Sequence, residues 1–323
     1  MSHLIDPSMD GFLNLNKPLG LTSHDCVAKL RRILGTKKIG HAGTLDPAAD
    51  GVLPIAVGRV TRLLQYLPGD KAYQATVRFG VTTDSDDLEG QVLTQTPAPQ
   101  LTQDQVVAVL GQFQGRIQQI PPAFSAIQVD GQRLYALARA GKAVDVPMRE
   151  VVVNGIEVLA WRSGAFPEID LAIACGAGTY IRAIARDLGA AVGTGATLAG
   201  LRRTVSSGFG IAGSLSLPEV SERFAAGALD LAPPIAVLQG LPQLVLRDGT
   251  IGRRWCFGQK VELESEVLAG FGLGQPEGDV AYRVHDAGGE FLGITKVEVW
   301  ETGWRLLPQM VYRSNDGDVK ETT

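Results

Sequence analysis

Cysteine and histidine are scarce in this chain, and their spacing argues against the usual disulfide and metal frameworks. The 323 residues include three cysteines, which lie far apart and form no Cys-x-x-Cys pair. This pattern is unlike a disulfide scaffold or a zinc site. The four histidines have no metal-ligand spacing either. We therefore expect no metal, and a reduced cytoplasmic compartment follows as the default.

Long apolar runs and nucleotide-binding signatures are also missing. No stretch is long enough to cross a membrane, and the N-terminus has no signal-peptide pattern. The phosphate-binding glycine loop, the dinucleotide fingerprint and the Gly-x-Ser-x-Gly elbow are all absent. We therefore expect no membrane association and no cofactor.

The overall charge is acidic, but the basic residues are distributed unevenly. The net charge is -4 and the pI about 5.7, whereas a nucleic-acid binder is expected to be basic. Five basic residues and no acidic residue nevertheless occur between positions 29 and 38. They are Lys29, Arg31, Arg32, Lys37 and Lys38. This cluster is either a solvated helix face or a surface for a polyanion.

Residues 40–51 carry the clearest chemical signal. They include one His, two Asp, one Pro and three Gly, with neither a helical nor a strand period. Pro47 restricts Asp46 to extended conformations, so this carboxylate lies on a stiffened loop. An aspartate can act as a covalent nucleophile at a sugar-linked carbon. The alternative is a structural turn in which Asp46 caps its own backbone.

Two residues elsewhere could act together with Asp46. Residues 71–79 alternate strictly, which places Tyr73 on the buried or cleft side of a strand, although a plain core tyrosine is the alternative. Thr179 is expected to cap a helix that contains Arg182 in its first turn. A cation is disfavoured there by the helix dipole and usually has an anionic partner. The acidic segment 84–90 is expected to be a solvated loop.

The predicted elements indicate two domains, which the chain is long enough to form. The first mixes strands and helices, with capped helices such as the one that Thr102 and Gln105 begin. The second consists of short strands separated by Gly and Asp, as in a small β barrel. The expected segments are a flexible leader (1–10), the first domain (11–231) with a polar, basic flap (125–148), a linker (232–242), the second domain (243–313) and a disordered tail (314–323).

Several motifs occur in a specific order along the chain. The strongest is His41 followed by Gly43-Thr44-Leu45-Asp46-Pro47 through Gly51. The supporting motifs are Asn14-Leu15-Asn16-Lys17-Pro18-x-Gly20, Lys71-Ala72-Tyr73, Pro121-Pro122-x-x-Ser125-Ala126, Arg133-Leu134-Tyr135, Gly178-Thr179-Tyr180-Ile181-Arg182 and Leu201-Arg202-Arg203-Thr204. Through them, nearly the whole chain resembles the bacterial tRNA pseudouridine-55 synthases.

This resemblance implies a fold and a reaction. The fold is α+β, a pseudouridine synthase fold with a mixed, largely antiparallel sheet and flanking helices, followed by a small PUA-like β domain. The reaction isomerises uridine 55 to pseudouridine in the TΨC loop of tRNA, after the base is flipped out of its stack. It is redox-neutral and needs no cofactor. The partner implied is the TΨC arm of tRNA, with no obligate protein partner and a monomeric enzyme.

The resemblance also implies roles for individual residues. Asp46 would be the nucleophile, Tyr73 would stack on the uracil and assist proton transfer, and Arg182 would pair with Asp46. Substrate-binding residues would be His41, which inserts into the RNA loop, Lys17, Tyr180, Leu201, Gly43 and Thr44. The RNA-binding surface would comprise the basic cluster Lys29, Arg31, Arg32, Lys37 and Lys38 together with Arg133, Arg139 and Arg202.

Two residues depart from the family pattern. Asp50 stands where a small hydroxyl residue is usual, and Gln128 replaces a usual lysine. Both make the surface less basic, and we expect weaker, more salt-sensitive RNA binding. Two other functions stay open: a catalytically silent RNA-binding or RNA-folding protein on the same scaffold, and a hydrolase that uses Asp46 with Asp50 as its second carboxylate.

Overall fold

A mixed sheet forms the body of the protein, and a smaller sheet follows it. The computed structural model describes residues 9–124, 128–129, 132–133, 146–264, 280–300 and 303–312. The strands are β1 (Gly11–Lys17), β2 (Ile39–His41), β3 (Ala49–Val57), β4 (Lys71–Phe79), β5 (Val81–Thr83), β6 (Val92–Gln95), β7 (Gly115–Gln119), β8 (Gln128–Val129), β9 (Gln132–Arg133), β10 (Arg149–Arg162), β11 (Glu168–Cys175), β12 (Ala196–Ser206), β13 (Phe209–Gly210), β14 (Gln243–Leu246), β15 (Val261–Glu264), β16 (Ala281–Asp286), β17 (Phe291–Trp300) and β18 (Gly303–Val311).

Helices flank these sheets. They are α1 (Ser23–Ile33), α2 (Gln103–Leu110), α3 (Ile181–Ala191), α4 (Leu217–Ala225), α5 (Pro234–Val237) and α6 (Gly249–Cys256), with 3-10 helices at Gly58–Tyr66, Gly111–Phe113 and Ile211–Gly213. The predicted cap of α2 is confirmed, because Thr102 and Gln105 bond reciprocally to each other's backbone amides. The sequence did not predict α6, which begins where the Asp248 side chain accepts hydrogen bonds from two backbone amides.

The large sheet confirms the mixed, largely antiparallel architecture. Its strand order is β1-β3-β12-β4-β11-β10-β7, with β2 paired to β3 and β13 paired to β12. The pair β3–β12 is parallel, and its neighbours are antiparallel. The alternation along β4 also holds, because Tyr73, Ala75, Val77 and Phe79 are all buried. Strand β12 therefore lies in the middle of the sheet, between the strand that follows the Asp46 loop and the strand that carries Tyr73.

The start of α3 differs from the prediction. Thr179 does not cap this helix: the N-cap is Tyr180, whose side chain makes no capping bond. The side chain of Gln119 on β7 bonds to the backbone at the helix start instead. Its oxygen accepts from the Tyr180 amide at 2.8 Å, and its nitrogen donates to the Tyr180 carbonyl at 3.1 Å. The side chain of a neighbouring strand thus fixes the helix start that carries Arg182.

The smaller sheet forms the expected C-terminal β domain and packs against the large one. Its strand order is β14-β16-β17-β18-β15. An apolar cluster joins the two domains, with Phe12, Val60 and Leu63 on one side and Ile294 and Met310 on the other. The predicted linker contributes to this cluster, because α5 and the residue after it bury Val237 and Leu238.

Two arginines that follow the Asp46 loop in sequence also join the domains. Arg59 donates to the carbonyl of Tyr312 at 2.8 Å and lies over its ring, and Arg62 donates to the carbonyl of Gln309 at 3.3 Å. The Asp10 carboxylate accepts from both the backbone amide and the side chain of Arg59. These arginines therefore bind the C-terminal domain through its last strand.

Parts of three predicted segments lie outside the described residues. They are residues 1–8 of the leader, most of the flap including Arg139, and the tail 314–323. Within the flap, β8 pairs with β9, and Arg133 lies on β9. In the described ranges, no helix is long and apolar enough to span a membrane.

The interdomain cluster should contribute strongly to stability. Replacing the fully buried Ile294 with Ala is expected to lower the free energy of unfolding by about 2–5 kcal/mol, because it leaves a cavity between the domains. Val299→Ala on the same strand is the control, since Val299 is exposed and its replacement should cost less than about 0.5 kcal/mol. Urea unfolding measures both, and equal effects would contradict the packing described.

Candidate active site

The structure brings Asp46 and Arg182 together at one end of the large sheet. Asp46 lies on the loop between β2 and β3, and its carboxylate is 44% exposed. Nη2 of Arg182 lies 3.1 Å from Oδ2 of Asp46. The guanidinium itself is buried, with 7% of the side chain exposed. A fixed cation thus orients a carboxylate that is still open to solvent.

Arg182 is held in place by contacts with other segments. Nη1 donates to the carbonyl of Ser85 at 2.9 Å and lies 3.4 Å from Oδ2 of Asp87. Nη2 donates to the carbonyl of Phe124 at 2.8 Å. A buried arginine is stable only when its charge is paired and its N–H groups are satisfied. The expectation that Arg182 has an anionic partner is confirmed, and it has two.

Asp87 was missed by the sequence reasoning. The segment 84–90 was expected to be a solvated loop, which holds for Asp84, Leu88 and Glu89 but is wrong for Ser85 and Asp87, which are buried. The Asp87 carboxylate accepts from the hydroxyl of Ser85 at 2.6 Å and from the amide of Glu89 at 3.1 Å. An acidic turn gives no periodic signal of burial. The clue available was the need of Arg182 for a negative partner.

Tyr73 lies on β4, which pairs with β12 and β11 in the large sheet. It is buried, opposite Ile173 on β11 and Arg203 on β12. Burial raises the pKa of the Tyr73 hydroxyl above its ordinary value. The Asp46 carboxylate raises this pKa further, while the guanidinium of Arg203 opposes both effects. The hydroxyl of Tyr73 therefore ionises less readily than a free phenol.

The Asp46 loop is anchored to the N-terminal turn. The hydroxyl of Ser23 donates to the carbonyl of Leu45 at 3.1 Å and accepts from its amide at 2.9 Å. The amide of Gly20 donates to the carbonyl of Pro47 at 2.8 Å. Lys17 is completely buried and donates to the carbonyl of Leu21 at 2.6 Å. Lys17 thus stabilises the turn to which the Asp46 loop is hydrogen-bonded. Burial lowers the pKa of Lys17.

The remaining residues that were expected to bind substrate lie on the Asp46 loop, on β12 and at the start of α3. Gly43 and Thr44 are exposed on the Asp46 loop. Leu201 is half-buried on β12 and pairs with Ala49 and Ala75 on the flanking strands. Tyr180 is half-buried at the start of α3. Gly43 and Thr44 thus share the loop of Asp46, and Tyr180 directly precedes the helix that carries Arg182.

The basic cluster lies on and after α1. Four of its members are exposed, and Lys29 is half-buried. The exposed members are Arg31, Arg32, Lys37 and Lys38. Arg31 also donates to the carbonyl of Ile39 at 3.1 Å, which ties it to the start of β2. The cluster presents positive charge near the Asp46 loop without ion pairs to described carboxylates.

Arg202 differs from the residues of that cluster because it forms an ion pair with Asp50. Nε of Arg202 lies 3.1 Å from each carboxylate oxygen of Asp50, and Nη2 lies 2.6 Å from Oδ2. The arginine is 53% exposed and the aspartate 17%. Asp50 therefore neutralises a surface arginine next to the Asp46 loop. In the described residues, no group of acidic, histidine or cysteine side chains could hold a metal ion.

His41 ends β2 just before the Asp46 loop. Its ring packs edge-to-face on His24 at 5.3 Å, and its Nδ1 is buried without a hydrogen-bond partner among the described residues. Burial, with smaller contributions from His24 and Arg203, lowers the pKa of His41 from 6.5 to about 4. The imidazole is therefore neutral at physiological pH.

The lowered pKa of His41 predicts an acid-sensitive fold. Between pH 6.5 and about 4 the unfolded chain binds a proton that the folded protein does not, so stability present above pH 6.5 is lost as the pH falls through this window. Urea unfolding across this range should show a larger loss for the wild type than for His41→Gln. Identical pH profiles for the two proteins would contradict this prediction.

Comparisons with known proteins agree with this geometry. Residues 31–181 match the family model described as TruB family pseudouridylate synthase, N-terminal domain. The chain is 53% identical to tRNA pseudouridine synthase B of Nostoc sp. (strain PCC 7120), over 94% of this chain and 99% of that protein. It is 54% identical to tRNA pseudouridine synthase B of Trichormus variabilis, with the same coverage.

The fold has solved counterparts as well. A chain in the crystal structure of a Cbf5-Nop10-Gar1 complex superposes with a TM-score of 0.70 at 24% identity, over 95% of this chain and 86% of that chain. At that identity the likeness shows the fold alone. The identities above 50% across nearly the full length are more specific. This chain therefore belongs to the TruB family of pseudouridylate synthases and is an isomerase of that class.

Proposed function

We propose that this enzyme converts uridine 55 of the TΨC loop of tRNA to pseudouridine, with Asp46 as the nucleophile. The observation that carries the proposal is the pair of Asp46 and Arg182: a half-exposed carboxylate held at 3.1 Å by a buried guanidinium. The cation fixes the direction of the carboxylate through a charge-assisted contact. The names of the relatives, tRNA pseudouridine synthase B, support tRNA as the substrate class.

Asp46 has an oxygen available for the substrate. Arg182 binds Oδ2, and no hydrogen bond to Oδ1 is formed among the described residues. The target nucleoside must leave its stack to reach this oxygen, because the atoms under attack are inaccessible inside a stacked loop. Tyr73 supplies an aromatic face on the same side of the sheet, against which the flipped uracil would stack. Tyr180 and Leu201 would form the walls of this base pocket.

The reaction proposed conserves every atom of the substrate. The bond between the ribose C1′ and N1 of uracil breaks, the base turns, and a bond between C1′ and C5 forms. C5 then gives up its proton and N1 carries one, so the product is an isomer of the substrate. Asp46 would act by transient covalent attachment, and Tyr73 would assist the proton transfer at C5. No step requires an oxidant or reductant.

The surfaces around the site suit an RNA arm and a single chain. The exposed basic cluster on α1 would contact phosphates, with His41 entering the loop that the flipped base leaves. The C-terminal domain is packed rigidly on the first domain through the interdomain cluster, and it would extend the RNA-binding surface. Asp46 and Arg182 meet within one chain, and the enzyme proposed acts as a monomer without an obligate protein partner.

The structure weakens the hydrolase alternative. A glycosidase usually needs two carboxylates that act on either side of the scissile bond. Asp50 was the nominal second carboxylate, but it is engaged by Arg202 through both of its oxygens. A carboxylate held in this way is a poor general base. The catalytically silent alternative is disfavoured because Asp46, Tyr73 and Arg182 are all present in the sequence.

Tritium release from the substrate tests the proposal. With a tRNA transcript that carries tritium at C5 of uridine, the wild type should release tritium from one loop uridine. Asp46→Asn should lower the rate at least about 10³-fold, because it removes the nucleophile. Asp104→Asn, at an exposed position on α2, is the control and should keep the wild-type rate. Release by Asp46→Asn at the wild-type rate, or free uracil as the product, would contradict the proposal.

The ion pair of Asp50 and Arg202 predicts a specific salt dependence. Asp50→Thr should free Arg202 for a phosphate, so that tRNA binds more tightly and the plot of log affinity against log salt steepens by about 0.7–0.9. The wild type should therefore be less salt-sensitive than Asp50→Thr, which reverses the expectation from sequence, because Asp50 withholds one phosphate contact.

A double variant provides the control for this measurement. Adding Arg202→Gln to Asp50→Thr should return the slope to that of the wild type, since no free arginine then remains at this position. Filter binding of tRNA over a salt series measures all three proteins. Coincident curves for the wild type and Asp50→Thr would show that Arg202 is not held back from RNA by Asp50.

A further inference from the structure

Arg203 is completely buried beneath the Asp46 loop, although neither the sequence analysis nor the proposed mechanism gives it a role. It lies on β12 at the end of the parallel ladder, where it pairs in register with Gly51 on β3. Within the described residues it forms no ion pair with a carboxylate. An unpaired buried cation is costly, so neutral acceptors must satisfy its N–H groups.

The guanidinium reaches the chain on both sides of Asp46. Nε donates at 2.7 Å to the carbonyl of Val52, on the strand that follows the Asp46 loop. Nη2 donates to the carbonyl of Gly43 at 2.9 Å, and Nη1 lies 3.4 Å from the carbonyl of Thr44, both on the loop itself. The N–H donors of a guanidinium point in fixed directions from a planar fork. One rigid group therefore fixes the Asp46 loop relative to β3.

Two glycines make this close approach possible. Gly51 has a φ of +103°, and a Cβ there would collide with the backbone of Arg203. Gly43 has a φ of +67°, and a Cβ there would lie 3.2 Å from Nη1 of Arg203. Both glycines are thus explained by the backbone conformation and by the space that β12 and the Arg203 side chain require.

The contact with Thr44 also constrains the peptide unit that leads to the proposed nucleophile. A trans peptide unit directs its carbonyl and its amide hydrogen to opposite sides. Because the carbonyl of Thr44 faces Arg203, the amide of Leu45 points away from it. That amide donates to the hydroxyl of Ser23 at 2.9 Å. Arg203 and Ser23 therefore hold the same peptide unit from opposite sides.

The position of the Asp46 carboxylate depends on this backbone. The carboxylate is 44% exposed, so packing against other side chains does little to fix it. Its contact with Arg182 at 3.1 Å requires the loop to stay where it is. A misplacement of about 1 Å at a reacting group can lower a rate about 100-fold. A residue that holds the loop can therefore affect the reaction without touching the substrate.

We propose that Arg203 is a positioning residue for Asp46, because its guanidinium holds the carbonyls of Gly43 and Thr44 against β3 and so fixes the loop that carries the carboxylate. This inference rests on the proposed function, since it requires that Asp46 be the nucleophile. Arg203 is buried and would not contact the RNA. Its effect on the rate would pass through the position of the loop.

Single-turnover kinetics and hydrogen exchange together separate this role from a general structural one. Tritium release at saturating enzyme would be measured for the wild type, Arg203→Lys and Arg203→Gln, together with tRNA affinity, urea unfolding and exchange of the Leu45 amide. Arg78→Gln is the matched control. It removes an arginine of the same sheet that pairs with Glu168 instead of with the Asp46 loop.

The proposal predicts a loss of rate without a loss of binding. Arg203→Lys should lower the single-turnover rate about 10-fold, because the charge remains and the fork is lost. Arg203→Gln should lower it about 100-fold, with tRNA affinity within about 3-fold of the wild type for both. The Leu45 amide should exchange at least about 10-fold faster while the amides of β11 keep their protection. Arg78→Gln should match the wild type in rate and in Leu45 exchange.

Other outcomes overturn the proposal in distinguishable ways. Wild-type rates for both Arg203 variants, beside a slow Asp46→Asn enzyme, would remove the role of Arg203 alone. A fast Asp46→Asn enzyme would remove the proposed function as well. Faster exchange throughout the first domain, or failure of both Arg203 variants to fold, would make Arg203 a residue of the general core. A loss of rate with unchanged Leu45 exchange would show that the effect does not pass through the loop.

Discussion

The buried guanidinium of Arg182 is the constraint on which the rest of the site depends. Removing such a charge from water costs several kcal/mol unless it is paired and fully bonded. Arg182 meets this requirement because it pairs with Asp46 and Asp87 and donates to the carbonyls of Ser85 and Phe124. Segments far apart in sequence are therefore fixed relative to one another by the same group that orients the proposed nucleophile.

The sheet topology places a second arginine on the other side of the Asp46 loop. Because β12 runs parallel to β3 and antiparallel to β4, Arg203 pairs in register with Gly51 and with Tyr73, and its side chain bonds to carbonyls of the Asp46 loop. Arg182 thus contacts the Asp46 carboxylate directly, whereas Arg203 contacts backbone carbonyls of the Asp46 loop. The flexibility that an exposed loop would otherwise have is removed by hydrogen bonds to its carbonyls, which suits a group that must be preorganised.

Much of the site followed from local chemistry, and the rest depended on tertiary contacts. Pro47 marked Asp46, alternation placed Tyr73 on the buried face, and the helix dipole required an anion for Arg182. Asp87 could not be found in this way, because an acidic turn looks the same whether it is solvated or bound to a buried cation. The helix α6 was missed because Asp248 starts it within a sequence typical of a turn. Pairings such as that of Asp50 with Arg202 require the register of β3 and β12.

The most direct test of the account is the structure of the Asp46→Asn protein bound to a stem-loop of the TΨC arm. The account predicts that the target uridine is flipped out, with its reacting atoms within about 3.5 Å of the residue 46 side chain and its base against Tyr73. Arg182 should still contact residue 46. A target uridine that stays stacked in the loop, or that lies against a different side chain, would contradict the assignment of Asp46 as the nucleophile.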